Sequence, residues 1–321
     1  MIWLPTQADQ TECAKNSFEC MALVQPDKWR VLHTDTSGGI LVNRVDNQGR
    51  YAVIVSGGAG NGPLFGGYVS GDLADAVVAG GAHAAPNAYA IYEAGKYFGE
   101  KREILLLYNN FAGDYLNNDM AQELLRLDNV RAESLLALDD MATAKGESRT
   151  ERNGRCGIAL LIKLAGAYRN MGLTLDKALP CLIHARDRLN TLSLHIDPEK
   201  EIATYGAGFS GEPGIYTLRG VSKKAMIQKA ADMLIEDLPP EKDEELVLLV
   251  NRLRLMSIPD GYISAKTALD YLSSQYKVSH FCVGAFSNIT DQYGLDISIM
   301  RCDSDTAKLF ENKAYGDGFV I

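Results

Sequence analysis

Continuous apolar runs alternate with amphipathic stretches along most of the chain. Residues 51–55 (YAVIV), 104–108 (ILLLY) and 134–138 (SLLAL) are apolar with almost no polar alternation, the pattern of strands buried on both faces of a sheet. Residues 88–97, 117–126, 157–168 and 175–189 instead space their apolar side chains at a helical period. Ahead of these, residues 10–23 read as a helix closed by Gln25-Pro26. Short strands follow at 31–32 and 40–45 around a Ser37-Gly38-Gly39 turn. Asp46-Asn47-Gln48-Gly49 reads as a turn into the 51–55 strand, and residues 72–79 look helix-like. Strand and helix alternate with short links, which predicts an α/β fold with mostly parallel, helix-covered sheets.

A second α/β unit opens with a strand at 191–196. It continues with helices at 223–238 and 264–275 and strands at 246–250, 281–286 and 296–300. The boundary falls near Arg186, giving an N-terminal domain over 1–186 and a C-terminal domain over 187–321. The acidic, proline-bearing residues 236–245 read as a solvated loop.

Composition narrows the class. The 321 residues suffice for two cores, and 46% hydrophobic with 23% charged residues is ordinary for a globular protein. A net charge of −9 argues against nucleic acid or a membrane surface as a direct partner. The opening residues, with Asp9 and Glu12, lack the apolar core of a secretion signal, and no apolar run approaches the ~20 residues of a membrane span. A cytoplasmic setting is therefore expected. Six scattered cysteines without a C-x-x-C pair read as reduced thiols, and no metal site is predicted.

Candidate chemistry gathers in loops that follow apolar strands: residues 57–63, 109–114 and 206–214, with Asp139-Asp140 as a fourth. Ligand sites of α/β sheets form at the carboxyl ends of strands, and glycine lets the backbone approach closely. The first loop, SGGAGNGP, is neither a Walker A motif nor a clean G-x-G-x-x-G, so a plain tight turn is an equal reading. Asp114 reads either as a reactive carboxylate or as a helix N-cap. Asp139-Asp140 reads either as site residues or as a solvated turn. Ser210 is a nucleophile or simply a small loop residue, and no G-x-S-x-G elbow surrounds it. His33, His83, His184, His195 and His280 stand in no metal-ligand spacing and read as surface or satisfied core residues.

Several motifs, in order and at kept separations, carry a resemblance. They are SGG-x-G…P-L-x-GGYV (56–69), NNFAGDYLNNDMA (109–121), LDDMA (138–142), GRCGIALLIKLAGA (154–167), G-x-G-x-x-GEPGI (206–215) and LLVN (248–251). Over nearly its full length the chain resembles the substrate-binding subunit of the dihydroxyacetone (glycerone) kinases. The resemblance implies two α/β domains, a homodimer, and dihydroxyacetone bound in the first domain. It implies no cofactor in this chain: Mg-ATP, or a rephosphorylated nucleotide, sits on a partner subunit that supplies the phosphoryl group.

The same resemblance marks departures. The family captures its ketone as a hemiaminal on a histidine directly before G-E-P-G, where this chain has Ser210. Imidazole adds to a carbonyl at neutral pH, and an unactivated hydroxyl does so poorly. The family's glycine-loop histidine is answered by Asn61, which can hydrogen-bond but not shuttle a proton. The family lysine of the second loop is Asn109, while Asp114, the implied base, is retained. A proton-transfer group is typically worth about 10²–10⁴-fold, so ordinary dihydroxyacetone kinase activity is not expected, and no other histidine is placed by the sequence to compensate. Two readings follow. One is a divergent kinase subunit gripping a small polyhydroxy substrate non-covalently through Gly57, Gly58, Asn61, Asn109 and Ser210, with Asp114 as base. The other is a non-catalytic paralogue, a sensor or co-activator working through a regulatory protein.

Overall fold

The apolar runs of the sequence become the central strands of two six-stranded sheets. A computed structural model describes residues 7–45, 49–144, 146–208, 211–288 and 292–321. The predicted turn at Asp46-Asn47-Gln48 and the loop residue Ser210 lie outside the described residues. In chain order the elements are α1 (Gln7–Val24), β1 (Trp29–Leu32), β2 (Gly39–Asn43), β3 (Tyr51–Gly57), β4 (Ala76–Ala79), α2 (Ala88–Gly99), β5 (Glu103–Asn109), α3 (Ala112–Leu127) and β6 (Ala132–Ala137). They continue with α4 (Ile158–Asn170), α5 (Leu175–Arg186), β7 (Leu189–Asp197), β8 (Ile202–Tyr205), β9 (Tyr216–Arg219), α6 (Lys223–Asp237), β10 (Glu245–Arg252), α7 (Ile258–Ser273), β11 (Val278–Gly284), β12 (Gly294–Cys302) and α8 (Ser304–Lys308).

The chain divides into two compact units. Unit 1 comprises Met1–Ala137, Leu161–Ile183 and Ala314–Phe319; unit 2 comprises Leu138–Leu160, His184–Lys313 and Val320–Ile321. The first sheet has the order β1-β2-β4-β3-β5-β6, and β4, β3, β5 and β6 run parallel. Every residue of β3 is buried. Ile54 and Leu106 pack against Ile91 and Ala94 of α2 and Leu125 of α3, while the Tyr51 hydroxyl donates to the Ala165 carbonyl of α4 at 2.7 Å.

Residues 72–79, expected as a helix, instead turn at Asp72 and form the fully buried strand β4 between β2 and β3. Two adjacent valines favour the extended chain, and the carboxylate of Asp75 anchors its start. That carboxylate accepts from the Val53 amide (2.8 Å), the Arg169 guanidinium (2.6 Å) and the Arg102 guanidinium (2.9 Å).

The second sheet has the order β11-β10-β12-β7-β8-β9 and corrects the expectation of mostly parallel strands. Only β10 and β11 are parallel in it, and the other pairs are antiparallel. Residues 198–201 and 206–215, which link β7 to β8 and β8 to β9, are too short for a crossover helix, so those strands must reverse direction. Ala230 and Leu234 of α6 and Ala265 and Ala268 of α7 complete the core of this unit against Leu192, Leu248 and Ile297.

Candidate functional site

In unit 1 the predicted residues Gly57, Gly58, Asn109 and Asp114 come together at the carboxyl end of the parallel strands. β3 and β5 are paired through Ser56 and Tyr108, so Gly57 and Asn109 leave the sheet side by side. Asn118 of α3 holds the helix to this edge. Its side-chain amide donates to the Ser56 hydroxyl at 2.9 Å and to the Asp114 carbonyl at 2.8 Å, and both side chains are buried.

Asp114 is not the N-cap that its position had allowed. The helix begins at Ala112, Phe111 occupies the cap, and Asp114 lies within the first turn. Its side chain is only 8% exposed, and its Oδ1 has no hydrogen-bond partner among the described residues. Burial pushes its carboxyl up to about 7, since loss of water disfavours the charged form. Asn109, 3% exposed, likewise leaves its Oδ1 without a partner. Two neighbouring buried acceptors thus lack donors, an arrangement that folded proteins rarely leave uncompensated.

The glycine loop is held as a wall by its backbone. After β3 the chain makes a tight helical turn over Ala59–Asn61. The amides of Ala59 and Gly60 donate to the carbonyls of Gly81 and Ala82 at 3.0 and 2.8 Å, and the Gly80 amide donates to the Gly57 carbonyl at 3.0 Å. A Cβ on Gly60 would lie 2.3 Å from the Ala82 carbonyl oxygen, and one on Gly57 would enter the Phe65 ring. These glycines answer a close approach within the chain itself, as a tight connection requires, and Asn61 stands half-buried at the end of the turn. Residues 81–85, which the sequence had not singled out, also reach the base of α3, where a Cβ on Gly113 would meet that of Ala85 at 3.2 Å. His83, with an exposed side chain, lies in the middle of this segment.

LDDMA, the GEPG segment and LLVN belong to unit 2, as does the start of the motif at 154–167 as far as Leu160. Asp139 and Asp140 are not a solvated turn: both are buried. Asp139 accepts from the amides of Arg155 (2.8 Å) and Gly157 (2.9 Å), while Asp140 pairs with the fully buried Arg155 guanidinium at 3.3 Å. Arg155 also pairs with Asp296 at 2.9 Å, so these motif residues form a structural ion network. Asn251 of LLVN accepts from the amides of Phe286 and Ser287 and pins the loop after β11. The GEPG segment closes on itself, with the Gly208 amide donating to the Glu212 carbonyl at 3.1 Å and Gly206 in the left-handed region at φ 77°. A cavity of about 350 Å³ in unit 2, lined by Ile196, Asp197, Lys223 and Tyr293, contains none of the predicted residues. His195 is half-buried in this unit and kept neutral, loss of water lowering it to about 4. Among the described residues no group of three or more His, Cys, Asp or Glu side chains could hold a metal ion, no cysteine forms a disulfide, and no helix is long and apolar enough to cross a membrane.

Residues 19–316 match the Dak1 domain. The chain belongs to the Dak1 domain family. It is similar to the PTS-dependent dihydroxyacetone kinase 2, dihydroxyacetone-binding subunit DhaK, of Listeria innocua, at 29% identity over 291 residues, 85% of this chain and 86% of that protein. It is 24% identical over 313 residues to an L-erythrulose 1-kinase of Mycolicibacterium smegmatis, where it spans 89% of its own length but 54% of the relative's. The solved dihydroxyacetone kinase operon co-activator Dha-DhaQ matches its fold with a TM-score of 0.85 at 19% identity, over 96% of this chain and 98% of that one.

Within this Dak1 chain, the sequence singled out Asp114 and the glycine loop, and the fold sets beside them two residues that it had passed over. Asn118 sits one helical turn beyond Asp114, a spacing that the sequence displays but that acquires meaning only once Ser56 is opposite. His83 carries no motif of its own, and only the backbone hydrogen bonds of residues 80–82 bring its segment to the glycine loop.

Proposed function

We propose that this Dak1 chain is a divergent dihydroxyacetone-kinase-like subunit. It binds a small polyhydroxy ketone of triose or tetrose size without a covalent bond, at the carboxyl end of β3 and β5. The observation that carries this reading is the pair of buried, donor-seeking oxygens on Asn109 and Asp114. Ligand hydroxyls are donors of the right kind for both. Gly57, Gly58 and Asn61 line the same end of the sheet, and Ser210 takes the place that the family resemblance gives to the capturing histidine.

Asp114 then acts as general base. Its carboxylate accepts the proton of the ligand hydroxyl while that oxygen attacks the terminal phosphorus of a nucleotide, and the bond from that phosphorus to the bridging oxygen breaks, releasing the nucleotide one phosphate shorter. A carboxyl near 7 is divided between its two forms at neutral pH, the condition that favours general base catalysis. Mg-ATP, or another phosphorylated nucleotide, is held by a partner subunit, and this chain works as a homodimer, as the sequence resemblance implies. Phosphoryl transfer rests mainly on positioning and charge stabilisation, which such a partner can provide. The names of the relatives, a dihydroxyacetone-binding subunit and an L-erythrulose kinase, support a ketose ligand.

The test combines the chain with an ATP-bearing kinase subunit and a panel of trioses, tetroses and polyols, with phosphorylated product read by mass spectrometry. Product with a ketose, abolished by Asp114→Asn, is expected. Alongside it, carbon NMR of carbonyl-labelled dihydroxyacetone should show a shifted but intact ketone or hydrate. A protein-bound hemiaminal carbon would exclude non-covalent binding.

A second reading is a sensor or co-activator that binds ketose without turnover and acts through a regulatory protein. Asn61 and Asn109, standing where the resemblance expects a histidine and a lysine, favour it, as does the similarity in fold to the co-activator Dha-DhaQ. Ligand binding with no product from any substrate would decide for it.

A further inference from the structure

We propose that His83 is a ligand-contacting residue of the unit 1 site and donates a hydrogen bond to the carbonyl oxygen of the ketone. This inference rests on the ketose-binding reading above and assigns a residue that neither the sequence motifs nor the family match single out.

The placement follows from the backbone. β4 runs parallel to β3, with Ala79 paired to Gly57, so the segment after β4 leaves the sheet at the same end as the glycine loop. Three main-chain hydrogen bonds fasten residues 80–82 to that loop: Gly80 to Gly57 at 3.0 Å, Ala59 to Gly81 at 3.0 Å and Gly60 to Ala82 at 2.8 Å. On its other side the segment abuts α3. Ala85 lies against Gly113, the residue before Asp114, and the Ala88 amide donates to the Asn117 side chain at 3.0 Å. His83 is therefore suspended between the glycine loop and the helix turn that carries Asp114. Its neighbours Ala82, Ala84 and Ala85 present only methyl groups, and its own side chain is exposed.

Chemical complementarity points the same way. Asn109 and Asp114 offer acceptor oxygens, which suit the hydroxyls of a polyhydroxy ketone. The ketone oxygen itself accepts only, so the Asn109 and Asp114 oxygens cannot serve it, and beyond the side-chain amides of Asn61 and Asn109 it has room for a further donor. An imidazole N–H is a donor able to meet it. The other histidines are remote from this need: His33 follows β1, the edge strand of the first sheet, and His184, His195 and His280 belong to unit 2.

The experiment uses the full chain labelled with nitrogen-15 at histidine, dihydroxyacetone and L-erythrulose as probes, and the variants His83→Ala, His83→Gln and Asp114→Asn. The ring signals of His83, assigned by their absence in His83→Ala, should move on saturation with a ketose while the other four histidines stay in place. His83→Ala should weaken binding about ten-fold, the usual worth of one hydrogen bond to a ligand, and His83→Gln, which keeps a donor, should recover part of the loss. If the wild-type chain binds a ketose and Asp114→Asn weakens it, but His83 signals stay fixed and His83→Ala binds within two-fold of wild type, the inference is overturned and the ketose reading stands. Binding of neither ketose by the wild type overturns both.

Discussion

The Asn118 side-chain amide donates to the Ser56 hydroxyl at 2.9 Å and its oxygen accepts from that hydroxyl at 3.2 Å, so hydrogen bonding between two buried side chains ties α3 to the carboxyl end of β3. Asp114 stands one turn earlier on that helix. Removing the amide in Asn118→Ala leaves the Ser56 hydroxyl without this buried partner, at a cost of about 1–3 kcal/mol. Denaturant unfolding should show that loss. A double-mutant cycle with Ser56→Ala should return a coupling of about 1 kcal/mol. Ketose affinity should fall along with it, because Asp114 loses its support.

The raised carboxyl of Asp114 predicts a pH dependence of stability with a definite sign. Its value is about 7 in the folded chain against 3.8 for the free side chain. Between those values the unfolded chain has released a proton that the folded chain retains, so stability falls as pH rises through that window and levels off above about 7. The full penalty is roughly 4 kcal/mol. Asp114→Asn, which cannot ionise, should match the wild type near pH 4 and exceed its stability at pH 8. Turnover, which needs the carboxylate, should move the opposite way and rise through pH 7.

Two glycines of the loop should respond in opposite ways to the same change. A methyl group on Gly60 would meet the Ala82 carbonyl at 2.3 Å, and backbone cannot swing aside, whereas one on Gly62 meets nothing within 4 Å. Gly60→Ala should therefore shift the loop, cost several kcal/mol and abolish ketose binding. Gly62→Ala should stay within about 0.5 kcal/mol of the wild type. Thermal melts and ligand titration of the pair distinguish a steric requirement from a general preference for flexible residues.

Asp75 offers a further test, away from the site. It pairs with the buried Arg169 and with Arg102, whose side chain is 10% exposed. Asp75→Ala strands a guanidinium in the core, and breaking a buried pair in this way costs about 3–5 kcal/mol. A large drop in the denaturation midpoint with an unchanged slope is the expected result.

How far the sequence could be read depended on the range of the interactions involved. The apolar runs that became β3, β5 and β6 and the periodic stretches that became α2, α4 and α6 were legible because burial writes itself locally. Residues 72–79 were not, because Asp75 is fixed by Arg169, 94 positions away, and the alanines around its valines suit either state. The short strands β8 and β9 escaped notice because β9 is largely exposed and shows little apolar pattern. At the site, Asp114 was visible through its motif, but its place within the helix depended on where α3 begins. Arg155 stood in the GRCGIALLIKLAGA motif with nothing beside it to mark its burial, and it is fully buried, since its carboxylate partner Asp296 lies 141 positions further on.

The wall made by residues 57–60 and 80–82 is fastened by main-chain groups alone. Its contour consequently requires glycine at positions 57 and 60 but does not depend on the side chains that project beside them. Polar groups at neighbouring positions can be exchanged without reshaping the enclosure, so substrate preference and scaffold are separable traits. In such a frame, asparagine and histidine can be redistributed among adjacent loops to suit a new sugar while the frame itself stays unaltered.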